Sequence, residues 1–259
     1  MDDLDQREAF LLAIFAAPAD DLPRLVFADW LDERGETAWA ANIREQCHAA
    51  RSAVAAGCPP EVRSDLHSRG FLVGDCLTCP ADLLADPERF RRTALLEHPE
   101  WYGCVELKVA GGKIASSKPI GTILTSPVTQ RVTRLDLSGA MIPSFGTGPV
   151  VLSGETIPSF DATPLVGAVL ANEPYHLADF EYSPAVTVQA VEALVGAREA
   201  RRFTHLDLRY NDLDNDAARA ILRSNYLTRL TSLHLFDGNQ LRGRTWAALQ
   251  AKFGDGVVS

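Results

Sequence analysis

The sequence predicts an α/β protein, an irregular solenoid of parallel strands with outer helices that is preceded by a small three-helix module. Two observations predict this class. Residues 5–56 carry the apolar spacing of helices and are broken by proline and glycine. In the C-terminal half, leucines return about every 27 positions, and a fixed period of this length is typical of stacked repeats.

Composition is consistent with a core-forming chain. The 259 residues are 46% hydrophobic and 23% charged, which argues against wholesale disorder. A net charge of −9 argues against a general nucleic-acid or anionic-membrane binder. Because the chain has no apolar stretch of membrane-spanning length and no secretory leader pattern, we expect a cytoplasmic protein without a membrane partner.

Three helices are predicted in the N-terminal module. The first covers its surface with apolar side chains over Glu8–Phe15 and stops at Pro18. The second runs from Pro23 to Arg34 and ends at Gly35, which suits a left-handed residue after a helix. The third runs from Thr37 to Ala56. The second helix should be capped by Asp20 or Asp21 and bury one side made of Leu25, Val26, Trp30 and Leu31.

The repeat pattern is clearest near the C-terminus. Residues 203–213 follow LxxLxLxxNxL with Asn211 in the asparagine position, and a helical stretch follows at 216–224. The pattern restarts at Leu230, with one extra residue before Asn239. Weaker copies start at 102, 132 and 177. The 45 positions between the last two exceed one regular unit, so 143–174 is interpreted either as a decayed repeat or as an insertion.

The repeat pattern predicts that neighbouring units stack on one another. The short strand of each unit points leucines inward, its asparagine bonds the backbone where the chain turns away, and its helix closes the far side. One unit cannot bury its own apolar side, so neighbouring units stack and their strands add in parallel. Residues 254–259 follow the last predicted unit, and we expect them to fray.

Two family resemblances rest on these residues. The C-terminal part resembles ribonuclease-inhibitor-type leucine-rich repeats, most specifically over 203–241. The N-terminal part resembles the bacterial repeat-companion domain through Glu8–Leu11, Asp20–Gly35 and Asn42–Cys47. Arg69–Phe71 is similar to the strand that commonly follows this module. The companion module has no assigned chemistry, so its resemblance implies an architecture and not an activity.

The predicted organisation has three parts. Residues 1–60 form the helical module, 61–101 form an adapter with an extended stretch and a helix, and 102–259 form the irregular leucine-rich-repeat solenoid. The adapter holds a Cys76-Leu-Thr-Cys79 pair. Upstream of it lie further candidate zinc ligands, namely Cys47, His48, Cys58 and His67.

The cysteines are interpreted as buried free thiols. Five cysteines are an odd number, which argues against a disulfide framework and for a reducing compartment. The order of the candidate ligands fits no zinc module. Cys76 and Cys79 fall in a predicted extended segment, where positions i and i+3 point to opposite faces. The alternatives to buried free thiols are a structural zinc site and a redox pair. No metal or cofactor is predicted.

Two charged segments have structural interpretations. The acidic run 211–216 fails as a calcium loop because Leu222 stands at its twelfth position, so Asn215 or Asp216 should cap the next helix. The second helix carries a charged cluster made of Asp29, Asp32, Glu33 and Arg34, interpreted as ion pairing.

The pairs Arg91-Arg92 and Arg201-Arg202 are too short for nucleic-acid binding and are interpreted as cations at helix ends.

The candidate binding residues alternate with the inward leucines. They are Glu106, Lys108, Asp136, Ser138, Asp207, Arg209, His234 and Phe236. A broad, shallow area of mixed charge with an exposed aromatic suits a protein partner better than a small-molecule substrate. The predicted function is a non-enzymatic interaction scaffold without catalytic residues. The alternatives are a regulatory or inhibitory subunit and, more distantly, a metal- or thiol-dependent enzyme that uses Cys76 and Cys79.

Overall fold

A five-stranded parallel sheet organises the protein, which confirms the α/β class. The computed structural model describes residues 2–55, 76–110, 113–143, 150–152, 155–157, 180–183 and 186–259. The strands are β1 (Cys76–Cys79), β2 (Glu106–Val109), β3 (Arg134–Asp136), β4 (Ala140–Pro143), β5 (Val150–Leu152), β6 (Glu155–Ile157), β7 (Phe180–Ser183), β8 (His205–Asp207) and β9 (Ser232–His234). The parallel sheet has the order β1-β2-β3-β8-β9.

Helices connect and cover these strands. They are α1 (Asp3–Ala16), α2 (Leu22–Asp32), α3 (Thr37–Ala55), α4 (Ala81–Leu84), α5 (Pro87–Leu96), α6 (Ser117–Thr125), α7 (Val188–Gly196), α8 (Asn215–Arg223) and α9 (Gly243–Phe253). Short 3₁₀ turns lie at 99–103, 127–129 and 198–202. Because α6 packs on α7, α7 on α8 and α8 on α9, these helices form a layer that follows the strand order.

One leucine from each strand lies in the same row of the sheet. The register aligns Leu77, Leu107, Leu135, Leu206 and Leu233, and each is at most 1% exposed. The leucine pattern predicted four of these parallel strands. It missed β1, which lies in the segment interpreted as the adapter.

Two asparagines make equivalent hydrogen bonds in successive units. The side-chain amide of Asn211 donates to the carbonyl of Leu208 in its own unit at 3.0 Å and to that of Leu137 in the neighbouring unit at 2.8 Å. Asn239 donates in the same way to Leu235 at 2.7 Å and to Leu208 at 2.9 Å. The asparagine position of the repeat thus joins neighbouring units through the backbone.

The oxygen of each asparagine identifies the next equivalent position. The backbone N–H of Leu213 donates to Asn239 Oδ1 at 2.8 Å. The N–H of Val186 donates to Asn211 Oδ1 at the same distance. Val186 is therefore the counterpart of Leu213 one unit earlier, and α7 follows Val186 as α8 follows Leu213.

The strands described between β3 and α7 pair antiparallel, β4 with β7 and β5 with β6, outside the parallel sheet. β3 pairs directly with β8, so no further strand of the parallel sheet lies between them. The path from Leu137 to Val186 is 44 residues longer than the path from Leu208 to Leu213, and removing it restores the 27-residue period. The prediction of a repeat copy at 177 is wrong, because β7 pairs antiparallel with β4 outside the parallel sheet.

The extra residue of the last unit is accommodated at Gly238. Its φ of +67° is in the left-handed region, which glycine adopts without a steric penalty. A Cβ on Gly238 would lie 2.6 Å from Tyr210 Cδ1 and 2.7 Å from its Cα. This close approach lets Asn239 reach the same hydrogen-bonding position as Asn211 despite the insertion.

The three-helix module forms as predicted in outline. Gly35 has a φ of +82° after α2, and Asp20 Oδ1 accepts a hydrogen bond from the N–H of Leu22 at 2.9 Å. The predicted buried side was wrong for Val26, which is 44% exposed. Phe27 is buried in its place, because α2 packs between α1 and α3 and this contact shifts the buried arc by one residue.

The last residues are ordered against the sheet, so the prediction of a frayed end is wrong. The N–H of Leu233 donates to the carbonyl of Val257, and the N–H of Leu235 donates to that of Ser259, both at 2.7 Å. Val258 is 4% exposed. An edge strand leaves backbone groups unpaired, and residues 257–259 satisfy those of β9.

Among the described residues, every helix is too short or too polar to span a lipid bilayer.

Candidate partner-binding surface

The eight predicted residues lie on the side of the sheet opposite the leucine row. The eight residues form four pairs along β2 and across the ends of β3, β8 and β9. The leucine between the two members of each pair is buried, whereas the members are half-buried or exposed. Lys108 aligns with Asp136, Asp136 with Asp207, and Asp207 with His234. We call this side, with the residues that directly follow the strands, the strand face. The structure therefore brings the predicted residues together on one surface.

The β2–β3 half of the strand face consists of paired charges. Arg134 Nε lies 3.2 Å from Glu106 Oε2, and Lys108 Nζ lies 3.4 Å from Asp136 Oδ2. Both cations are about half exposed, so each pair contributes roughly 0.2–1 kcal/mol to stability. The pairing leaves this half close to electrically neutral.

Two aspartates shape the chain where it leaves the sheet. Asp136 Oδ1 accepts from the N–H of Ser138 at 2.9 Å and from its hydroxyl at 2.6 Å. Asp207 Oδ1 accepts from the N–H of Arg209 at 3.0 Å. An aspartate that bonds the backbone two residues later fixes a turn, so Ser138 and Arg209 are held at equivalent places.

Arg209 is held rigidly by Asp207. Its Nε and Nη2 donate to Asp207 Oδ2 at 3.1 and 2.7 Å, and Asp237 lies 3.9 Å away. The hydrogen bonds from Asp207 raise the pKa of Arg209 above its ordinary value. The guanidinium is thus permanently charged and preorganised, which reduces the entropy lost when a partner binds it.

His234 contacts two hydroxyl groups. Its Nε2 lies 2.9 Å from Ser232 Oγ, and its Nδ1 contacts Ser259 Oγ. A serine beside a histidine is the arrangement of an activated nucleophile, but the group that orients this imidazole is a hydroxyl and not a carboxylate. These contacts hold the imidazole between Ser232 and Ser259.

The β9 end carries an aromatic pair beside a cavity. Phe236 is 58% exposed, and its ring centroid lies 5.3 Å from that of Trp246 in an edge-on contact. A cavity of about 370 Å³ opens here, lined by Arg209, Phe236, Asp237, Trp246 and Ser259. Sequence reasoning missed Trp246 because it comes from α9, outside the strand pattern. The strand alternation gives no signal for a residue on a helix.

The cysteine pair is divided between the two faces of β1, as predicted. Cys76 is exposed and Cys79 is 1% exposed. Burial, with a smaller effect of Asp82, raises the pKa of Cys79 to about 12, so this thiol stays protonated at neutral pH. The register places Cys79 beside Val109 in the core, where it takes the apolar position of its unit.

The prediction of buried thiols is confirmed for Cys47, Cys79 and Cys104 and is wrong for Cys76, whose position on β1 faces away from the core. Cys58, His67 and Arg69–Phe71 lie outside the described residues. Within the described part of the chain, no three potential metal ligands cluster.

The charged cluster on α2 forms ion pairs as predicted. Asp29 and Asp32 lie 2.7 and 2.6 Å from the guanidinium of Arg44. Arg34 pairs with Asp3 at 2.8 Å and lies over the ring of Trp30. These contacts tie α2 to α1 and α3, which is a structural role.

The predicted cap of α8 needs correction. The carboxylate that caps α8 is Asp214, whose Oδ1 accepts from the N–H of Asp216, whereas Asn215 accepts from Arg242 and Thr245 near the start of α9. The reason is that α8 begins at Asn215, one residue earlier than its apolar spacing indicates.

The arginine pairs divide between two roles. Arg202 donates to the carbonyls of Leu124 and Ile123 at the end of α6, as expected of a helix-end cation. Arg91 instead pairs with Glu8 and Asp5 of α1 at 2.9 and 2.8 Å. The helix-end interpretation is therefore wrong for Arg91, because α1 presents carboxylates to it.

In comparisons with known proteins, no family model matches this chain. No curated protein and no solved structure gives a significant match either.

Proposed function

We propose that this protein is a non-enzymatic cytoplasmic interaction protein whose strand face binds a protein partner. We further propose that its sheet and outer helices are an irregular leucine-rich-repeat solenoid behind a repeat-companion module. The observation that carries the proposal is the common alignment of Lys108, Asp136, Asp207 and His234 on one side of a parallel sheet.

The solenoid interpretation is supported by equivalent bonding in successive units. Asn211 and Asn239 join their own and the neighbouring unit in the same way. The 27-residue period also returns once the 44-residue insertion is removed. Units that repeat a backbone contact, and not only a sequence pattern, present their outward side chains at regular intervals.

Within the strand face, the β9 end has the composition of a binding hot spot. Arginine, tryptophan and other aromatic residues dominate such spots, and polar contacts surround them. Arg209, Phe236 and Trp246 lie together at the cavity, while the paired charges of β2 and β3 form a polar border. We therefore place the energetic centre of the interface at Phe236.

The test is affinity capture of partners from native lysate with the double variant Phe236→Glu/Arg209→Glu. The matched control is Leu22→Glu/Arg92→Glu, which makes the same kinds of change, an apolar residue to Glu and an arginine to Glu, at exposed residues of α2 and α5. We expect a partner captured by the wild type and by the control to be lost from the strand-face variant. Melting temperatures of all three proteins check that they fold.

Retention of every specific partner by the strand-face variant would overturn the proposal. Loss from both double variants would also count against it, because the effect would then follow charge and not position. A partner that passes this comparison is then measured by titration calorimetry against Phe236→Ala, where we expect an affinity loss of about tenfold or more.

A further inference from the structure

The loops that lead into β8 and β9 carry exposed arginines. Arg198, Arg201, Arg223 and Arg229 are exposed, and none of them takes part in an ion pair within the described part of the chain. Across the two loops, 197–204 and 223–231, the sequence has one carboxylate, Glu199. We call these four residues the arginine surface.

Hydrogen bonds join the two loops into one surface. The N–H and the hydroxyl of Thr231 donate to the carbonyl of Thr204 at 2.7 and 3.0 Å. The guanidinium of Arg201 lies 5.1 Å from the ring centroid of Tyr226 in the other loop. The two loops that carry the arginine surface are therefore held side by side where β8 and β9 begin.

Two further cations at these loops bind backbone carbonyls, and the carboxylate of Glu199 attracts one of them, Arg202. Arg202 donates to the carbonyls of Leu124 and Val132 at 2.8 and 3.1 Å. Lys252 donates to the carbonyls of Leu222 and Ser224 at 2.6 and 2.7 Å. Carbonyls are dipoles without net charge, so both cations add to the positive potential of the arginine surface.

The rest of the chain has the opposite charge. Residues 198–259 contain ten Lys and Arg and seven Asp and Glu, whereas the whole chain has a net charge of −9. A short acidic segment can contact the arginine surface alone. A nucleic acid would continue, with one charge every few ångströms, onto a molecule that repels it.

We propose that the arginine surface binds an acidic segment of a partner protein. Arginine presents a planar fork of donors that matches a carboxylate with two parallel hydrogen bonds. The arginine surface lies where the strands β8 and β9 begin, whereas Phe236 lies two residues after the end of β9. The proposal therefore does not depend on the strand face.

The experiment measures the fluorescence anisotropy of a fluorescein-labelled decapeptide of alternating Glu and Ser. The test variant is Arg201→Glu/Arg229→Glu, and the control Arg92→Glu/Lys118→Glu changes the net charge equally at exposed cations elsewhere. We expect about tenfold weaker binding for the test variant and less than twofold for the control. Binding by the wild type should weaken as salt rises from 50 to 300 mM.

Several results would overturn the proposal. Equal losses in both charge-reversed variants would show general attraction without a site. Tighter binding of a dT10 oligonucleotide than of the peptide, lost in the test variant, would indicate a nucleic-acid site. Dimerisation in sedimentation experiments that the test variant abolishes would assign the surface to a second copy of the chain.

Two further variants keep these results interpretable. Arg201→Gln/Arg229→Gln removes the charges without adding carboxylates, and it must also weaken peptide binding if the proposal holds. Phe236→Ala must leave peptide binding unchanged, since the strand face is a separate surface. A peptide that Phe236→Ala releases while the arginine variants retain it would contradict this proposal.

Discussion

Two regions of the molecule, one around α1 and one around β9, use their charged side chains in different ways. In the region formed by α1, α5 and the 99–103 turn, which we call the β1 end because α5 and the turn follow β1 in the chain, Glu8 accepts from Arg91 at 3.0 Å and from the hydroxyl of Tyr102 at 2.7 Å. At the β9 end, the backbone of 257–259 covers the edge, and the surrounding surface keeps an exposed Phe236. The charged side chains of the β1 end contact one another across α1, α5 and the turn, whereas the β9 end keeps a large aromatic side chain exposed.

The contacts at the β1 end are extensively desolvated. The Glu8 side chain is 13% exposed and that of Arg91 is 21% exposed. Arg7 lies close to the rings of Trp30 and Trp39, pairs with Glu36 and donates to the carbonyl of Leu95. Because buried ions are costly when one partner is removed, this end should respond to single substitutions far more than the exposed pairs of the strand face.

The largest effect we expect is that of Arg91→Ala. It leaves Glu8 buried without its counter-ion, so the free energy of unfolding should fall by about 3 kcal/mol. The adjacent Arg92 is exposed, and Arg92→Ala should change stability by less than about 0.5 kcal/mol. Urea unfolding of both variants makes the comparison. Equal losses would mean that the charges of α1 do not hold the β1 end.

Local patterns predicted part of this architecture and missed the rest for identifiable reasons. β8 and β9 were predictable because the leucines and asparagines in and after them keep the spacing and the residue types of the repeat pattern. β1 was predicted as an extended segment but not as a member of the leucine pattern, in which Cys79 stands where the next strand has Val109. Phe180 and Tyr182 alternate as a repeat strand does, and a single strand's pattern does not reveal that its partner is antiparallel.

The candidate site shows the same division. The eight strand-face residues followed from alternation alone, because side chains on a strand point to opposite faces. Trp246 and Ser259 reach the cavity from elements that come later in the chain, and only the packing of α9 brings them there. The arginine surface was hidden since its members come from two loops that the sheet places side by side.

A smaller effect should come from uncovering the β9 end. Val258→Asp places a charge at a position that is 4% exposed, so we expect a loss of about 2 kcal/mol. Hydrogen exchange should accelerate at the amides of Leu233 and Leu235, which bond the 257–259 backbone. Ser259→Ala keeps those backbone bonds and should leave the exchange unchanged. Unaltered exchange in Val258→Asp would show that these residues do not protect the edge.

The smallest effect at neutral pH is expected for Cys79→Val, which gives β1 the residue that β2 has at the aligned position. We expect less than about 1 kcal/mol at pH 7, because the two side chains are similar in size. The difference should appear in alkali. Burial raises the pKa of Cys79 to about 12 in the folded protein, whereas the pKa of a cysteine in the unfolded chain is about 8.5.

Between these two pH values the unfolded wild type loses a proton that the folded protein keeps. This thiol therefore lowers stability as pH rises, by up to about 1.4 kcal/mol per pH unit. Valine has no such proton, so Cys79→Val should gain stability relative to the wild type as pH increases from 8.5 towards 12. Urea unfolding at pH 7, 9 and 10 measures this gain. A constant difference across that range would mean that Cys79 is not buried beside Val109, and the pairing of β1 with β2 in this register would be wrong.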